Sequence, residues 1–334
     1  MNFKELPKKL FEVCDFRKNE QGETMLYSYE SKLENRDVII VCSLTDFNIP
    51  HDFKVVNKAI EATNRLCNDT LKIEVDENTY HAKSSKGSYK VGLVNSIGFQ
   101  PPKVEYLKTV NTHLNLLLKA TEYVGIKNNR PILRGVQVDF NGNIIATDGY
   151  RIYINKVADF NNQGITIPTS FIKVVKDNFA DTDEIELSIS NKFVKASQGN
   201  ISIIGNLYEG NYPNLEKILN NATQIGLKDI NKGELIEALD YLKYIVNDSK
   251  DKVNYLIFKD NLLTIKAQST FETSYDLGLE DSQICMQASY LLEALKVFDE
   301  DTLKCSCNSG DVKSLMSLCN NANEYVILMC IRID

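Results

Sequence analysis

The stretch Ile167-Pro168-Thr169-Ser170-Phe171-Ile172-Lys173-Val174-Val175 lies well on Ile49-Pro50-His51-Asp52-Phe53-Lys54-Val55-Val56, more than a hundred residues earlier in the same chain. The correspondence continues downstream, where Asp183-Glu184-Ile185-Glu186-Leu187-Ser188-Ile189 matches Asp69-Thr70-Leu71-Lys72-Ile73-Glu74-Val75. A further copy, Asp301-Thr302-Leu303-Lys304-Cys305-Ser306-Cys307, follows the helical stretch Ser289–Phe298. Self-similarity of this kind decides the fold before any single element does.

Each copy reads alike. A short amphipathic helix such as Ser170–Asn178, with Phe171, Val174, Val175 and Phe179 apolar, follows a Pro or Ser/Thr boundary. Two alternating strands come next, Ile185–Ile189 and Phe193–Ala196 in the middle copy, and a third, Asn200–Leu207, closes the unit. The closing strand of the first copy is Ser88–Val94. Upstream of each unit the pattern predicts another helix: Phe3–Val13, Leu107–Val124 and Lys232–Val246. Strand pairs follow at Met25–Tyr29 and Asp37–Leu44, at Leu133–Phe140 and Asn143–Tyr153, and at Asn254–Lys259 and Leu262–Ala267. The turn Asn141-Gly142 is a strong hairpin signal. The expectation is an α+β chain of three similar domains, 1–103, 104–221 and 222–334, each about 111 residues with two helices and about eight strands. The first is divergent and shortened, because Val13 to Ile49 leaves little room for a full set of strands.

Composition narrows the function. Hydrophobic residues make up 43% and charged residues 25% of 334, a globular balance rather than a disordered one. The apolar runs Leu114–Leu118 and Val326–Ile331 fall short of a membrane span, and Met1-Asn2-Phe3-Lys4-Glu5 has no signal-peptide core, which points to the cytoplasm. The eight cysteines, Cys305-Ser306-Cys307 among them, read as buried thiols rather than disulfides, and no second close pair supplies zinc-site spacing. His51, His81 and His113 are scattered, so neither a metal, a cofactor nor a catalytic constellation is expected.

Three segments of the middle copy carry a resemblance: Arg130-Pro131-Ile132-Leu133-Arg134-Gly135-Val136, then Ala146-Thr147-Asp148-Gly149-Tyr150-Arg151-Ile152, then Glu209-Gly210-Asn211-Tyr212-Pro213-Asn214-Leu215. Their succession resembles the middle domain of the bacterial DNA polymerase III beta subunit, the sliding clamp, and Tyr325–Arg332 is similar to that family's closing strand. The resemblance implies that each chain forms half of a closed ring, two copies joining head to tail as a homodimer. Such a ring encircles duplex DNA without regard to sequence and tethers the replicative polymerase for processive synthesis. A clamp of this kind makes and breaks no bond; a separate loader opens it.

Charge distribution fits that expectation better than net charge does. Six helices proposed to line the hole, residues 3–18, 53–65, 107–130, 170–178, 229–252 and 289–298, carry +2, +2, +3, +1, −2 and 0. They total +6 in a chain of net charge −7, leaving −13 elsewhere, so phosphate is drawn to the lining and repelled by the outside. The candidate DNA-facing residues are Lys4, Lys8, Lys54, Lys58, Lys108, Lys119, Lys127, Arg130, Lys173 and Lys176.

The resemblance also implies a groove where polymerase and loader dock a short apolar peptide. Matched position by position, it consists of Leu133, Thr147, Gly149, Tyr150, Arg151, Ile152, Pro213, Lys217, Ile218, Leu328, Met329 and Cys330. Leu133, Ile152, Ile218 and Leu328 would form its floor, and Arg151 a charge on its rim. Two positions depart from the family pattern: Tyr150 stands where a histidine is common, and Met329 or Cys330 where a proline is usual. The alternative reading is a clamp-fold interaction or decoy protein that binds such peptides without encircling DNA.

Overall fold

A computed structural model of the chain describes residues 6–32, 37–45, 47–95, 102–156, 164–179, 184–218, 227–240, 255–259, 262–266, 270–274, 284–308, 315–321 and 324–331. The architecture is α+β and dominated by antiparallel strands. The first of two eight-stranded sheets has the spatial order β4 (Phe53–Val56), β1 (Val13–Lys18), β2 (Thr24–Tyr29), β3 (Val38–Leu44), β15 (Ile201–Asn206), β14 (Phe193–Gln198), β13 (Glu184–Ile189) and β8 (Lys108–His113). The second runs β12 (Ile165–Pro168), β9 (Gly135–Val138), β10 (Asn143–Thr147), β11 (Arg151–Lys156), β23 (Glu324–Met329), β22 (Leu315–Cys319), β21 (Thr302–Asn308) and β16 (Lys228–Asn231). Two smaller sheets are β19 (Thr270–Ser274), β18 (Leu262–Lys266), β17 (Tyr255–Lys259), β20 (Ile284–Gln287), and β5 (Lys72–Val75), β6 (Thr79–Ser84), β7 (Gly87–Gly92). Among the described residues five helices of eight or more residues accompany them: α1 (Asn57–Leu66), α2 (Leu114–Thr121), α3 (Thr169–Asn178), α4 (Lys232–Asp240) and α5 (Ala288–Leu295).

In chain order these elements recur. From Lys108 to Asn206 the succession is strand, helix, four strands, helix, three strands, and it repeats from Lys228 to Met329. Ahead of Lys108 the described residues begin at the four strands β1–β4, continue through α1 and end with β5–β7, without an opening strand or helix. By compactness the chain falls into two units, Met1–Leu118 with Ile167–Glu209, and Lys119–Thr166 with Gly210–Asp334. Each eight-stranded sheet therefore joins strands from two consecutive successions.

Several predicted elements are corrected. Residues 6–12 of the expected helix Phe3–Val13 are not helical, and Val13 starts β1. Pro7 interrupts the helical pattern, and the alternation after it is used as a strand, with Cys14 and Phe16 buried under α1 while β1 is laddered to both β2 and β4. The front of the expected helix Leu107–Val124 is likewise β8, because β-branched Thr109, Val110 and Thr112 pair with β13. Asn143–Tyr153 is two strands folded at Asp148–Tyr150 rather than one, and Leu133 belongs to a 3₁₀ turn, Pro131–Arg134. The part of Lys232–Val246 beyond Asp240 lies outside the described residues.

The core of the first unit lies between its eight-stranded sheet and α1. Phe16 stacks on Phe53 with ring centroids 4.8 Å apart, and Ile60 and Tyr80 close over them. On the other sheet face Asp15 is buried yet satisfied, accepting from Arg17 at 2.6 Å and from Tyr29 Oη at 3.0 Å. Gly205 on β15 admits the ring of Phe171 from α3, since a Cβ there would stand 2.6 Å from Phe171 Cδ2. Gly205→Ala is expected to lower the unfolding free energy by roughly 1–3 kcal/mol through overpacking, read from urea denaturation.

Candidate functional site

Eight of the twelve residues matched to the peptide groove come from β10, β11, β23 and the turn between β10 and β11, or from their immediate continuation. The turn builds itself from its own side chains. Asp148 Oδ1 accepts the backbone N–H groups of Tyr150 at 2.8 Å and Arg151 at 2.9 Å, while Thr147 Oγ1 donates to the Arg151 carbonyl and accepts from Gly149. Gly149 takes φ of +98°, which a side chain would resist. Tyr150 is left 61% exposed, and its carbonyl accepts the Met329 N–H at 2.9 Å. A proline at 329 would lack that donor, so the departure at this position changes how the strand end is held.

Pairing of β11 with β23 sets which side chains share a face. Ile152 lies opposite Ile327 and Ile154 opposite Tyr325, whereas Arg151 lies opposite Leu328. Ile152, Ile154, Ile145, Leu315 and Ile327 form one apolar cluster, with Tyr212, Leu215, Ile218, Tyr325 and Met329 packed on it. Ile152, Ile218 and Met329 thus belong to one cluster. Leu328 does not belong to this floor: it is fully buried on the opposite face, because side chains alternate along a strand. Leu133 is buried in its 3₁₀ turn, where its carbonyl accepts the Gly125 N–H. Lys217 is exposed and Cys330 half-buried, its thiol pushed up to about 12 by burial. Pro213 lines a groove of about 610 Å³ together with Ile145, Tyr212, Leu215, Glu216 and Phe140.

Arg151 requires the largest revision. It is 8% exposed and serves as a buried strut rather than a rim charge. Its Nε donates to Asp148 Oδ2 at 2.9 Å, one terminal nitrogen donates to Glu293 of α5, and the other reaches the Glu122 carbonyl at 3.3 Å. The guanidinium lies between the rings of Tyr123 and Tyr290, 5.0 and 4.7 Å from their centroids. Burial opposes its charge, but Asp148 and Glu293 more than offset that, and its pKa rises further. Tyr290 in turn stands 6.3 Å from the exposed ring of Tyr150. Tyr290, Tyr212, Leu215, Leu315 and Ile327 were not foreseen. Alternation along β22 and β23 marks the last two, while Tyr290 comes from a helix whose facing only the packing reveals.

The basic residues separate into three groups. Lys58, Lys173 and Lys176 are exposed on helices α1 and α3. Lys54 and Lys108 lie on strands β4 and β8, and Lys8, Lys127 and Arg130 in exposed non-helical segments. Lys4 lies outside the described residues. Lys119 is on a helix but committed elsewhere, its Nζ 3.3 Å from the buried carboxylate of Glu324, which also accepts the Tyr153 hydroxyl at 2.7 Å. Among the described residues no group of His, Cys, Asp and Glu is placed to hold a metal ion, and no helix is long and apolar enough to cross a membrane.

Against known proteins, residues 112–214 match the family model described as the DNA polymerase III beta subunit, central domain. The beta sliding clamp of Staphylococcus epidermidis is 24% identical over 204 residues, 57% of this chain and 54% of that protein. That of Staphylococcus aureus is 25% identical over 215 residues, 60% and 55% respectively. The chain thus spans about half the length of the curated relatives it matches. In three dimensions the likeness is longer. The DNA polymerase III subunit beta of Pseudomonas aeruginosa superposes with a TM-score of 0.78 at 18% identity, over 96% of this chain and 92% of that one. A Helicobacter pylori beta clamp bound to a DNA ligase peptide gives 0.76 at 15%, over 96% and 92%. The matched segment holds the Thr147-Asp148-Gly149 turn and Arg151, so residues 112–214 are similar to the central domain of the DNA polymerase III beta subunit, and the likeness in fold extends to nearly the whole chain.

Proposed function

We propose that the chain is a non-catalytic DNA sliding clamp of three domains, 1–103, 104–221 and 222–334, two copies of which close head to tail around duplex DNA in the cytoplasm. The observation that carries this reading is a pair of open strand edges. Within the chain, the third of the four strands in one succession pairs with the last strand of the next: β3 with β15, and β11 with β23. β19 and β7 hold those same places in the last and first successions, and among the described residues each ends its sheet without such a partner. Joining β19 of one copy to β7 of another repeats the junction already made twice, and doing so in both directions closes a twofold ring in which neither of these two edges stays open. Light scattering at micromolar concentration tests this: the mass is expected near twice 37.8 kDa, and a mass of one chain would contradict it.

Lys58, Lys173 and Lys176 are the best-placed candidates to face phosphate, and Lys119 is withdrawn because Glu324 neutralises it. The apolar cluster around Ile152, Ile218 and Met329 is read as the peptide groove for polymerase and loader. A clamp of the same fold crystallised with a ligase peptide supports that reading. Ile218→Asp is expected to weaken a fluorescent polymerase-derived peptide at least about tenfold in anisotropy titration while leaving the dimer intact. Unchanged affinity would remove the groove from this position.

A further inference from the structure

The repeats disagree with one another at one place. In the middle succession the opening strand β8 pairs with β13 from Glu184↔His113 to Ile189↔Lys108, and in the last β16 pairs with β21 from Lys228↔Cys305 to Asn231↔Thr302. Each opening strand runs directly into a helix, His113 into Leu114 of α2 and Asn231 into Lys232 of α4. α4 then packs on α5, burying Leu235 and Leu239. In the first succession the counterparts of β21 and α5 are β5 and α1, and there β5 pairs with β6 alone.

Among the described residues nothing fills either of the positions that a strand and helix would take. Asp76 gives its N–H to the Thr79 carbonyl at 3.0 Å, so by alternation Glu74 faces β6 while the N–H and C=O groups of Ile73 and Val75 face the free edge. Beside α1, the irregular segment Leu6–Leu10 leaves a groove of about 530 Å³ bounded by Leu6, Leu10, Ile60, Glu61 and Asn64. Ile73 and Val75 are only half-buried and pack on the same core cluster as Leu6, Leu10 and Ile60.

We infer that this edge and groove together form a docking site for a strand–helix segment of a second polypeptide. The strand adds antiparallel to β5, and the helix that follows lays its apolar stripe along Leu6, Leu10 and Ile60. The chain itself states the chemistry of the occupant, since Lys108–Thr121 and Lys228–Asp240 are the two segments that fill this position elsewhere. The inference rests on the comparison of repeats and is independent of ring formation.

The probe is a fluorescein-labelled synthetic peptide copying Lys108–Thr121, titrated against the full chain by anisotropy. Saturable binding is expected. Ile73→Pro removes an outward N–H while sparing the bonds to β6, and is expected to weaken binding at least about tenfold, as is Asn64→Glu on the exposed wall of the groove. Should Ile73→Pro fail to fold by circular dichroism, Asn64→Glu decides alone. Absence of saturable binding up to about 1 mM, or equal binding by both variants, overturns the inference. So does a loss of self-association in Ile73→Pro, which would assign the edge to a second copy of this chain.

Discussion

If two copies join through β7 as proposed, Lys90→Pro is expected to weaken the dimer about tenfold to hundredfold without unfolding the chain. Leu93 donates its N–H to the Asn78 carbonyl at 2.8 Å, and counting back along β7 by alternation turns the backbone of Tyr89 and Val91 toward β6 and that of Lys90 outward. Lys90 is itself exposed, so proline there removes a donor that the isolated chain gives to water. The loss is felt only when another strand arrives and finds its carbonyl unanswered, at roughly 1–3 kcal/mol, or about a tenfold to hundredfold weaker dimer. Light scattering across a dilution series reads this directly, with circular dichroism as the control for folding. A dimer of unchanged strength would place the interface away from β7.

Arg151→Ala is expected to cost roughly 3 kcal/mol of unfolding free energy, the largest effect of any single side-chain truncation near the groove. Asp148 would lose its buried partner, the Glu122 carbonyl a donor, and Tyr123 and Tyr290 the cation held between their rings. The Glu293 side chain is 52% exposed, so water recovers part of its loss and the figure sits toward the lower end for a broken buried pair. Arg151→Lys keeps the charge but not the planar fork, and should recover less than half of the deficit. Urea denaturation checks both. A cost below about 1 kcal/mol for the alanine variant would show that Arg151 is not a strut.

Much of the fold was legible because it is written more than once. The Asp-led segments at 69, 183 and 301 locate β5, β13 and β21, but the Ile-Pro match is out of step: Ile167-Pro168 ends β12 directly before α3, whereas Ile49-Pro50 precedes β4 and it is Val55-Val56 that leads into α1. What stayed illegible was the opening of each repeat. Lys108–His113 and Val13–Lys18 carry apolar residues that satisfy either a helical or an alternating pattern over so short a span, and only the neighbouring strands decide between them.

The groove was half legible for a related reason. Segment matches bring Ile152, Ile218 and Met329 to one cluster, but a match does not say which way a side chain points. Leu328 and Arg151 lie opposite each other on the hidden face, so one leaves the floor and the other becomes a support for it. Nor does a count of charges see ion pairs. Lys119 contributed to the basic lining in the sequence, and Glu324, more than two hundred residues away, takes it out again.

The central claim is that two copies close around DNA, and retention on a circle tests it without reference to any partner. Protein loaded onto nicked circular duplex by a clamp loader, then passed through a sizing column at high salt, is expected to stay with the circle and to be released when a restriction enzyme linearises it. High salt removes phosphate contacts, so only topology can hold the protein there. Equal release from circular and linear DNA would contradict the ring and favour a clamp-fold protein that binds peptides without encircling DNA.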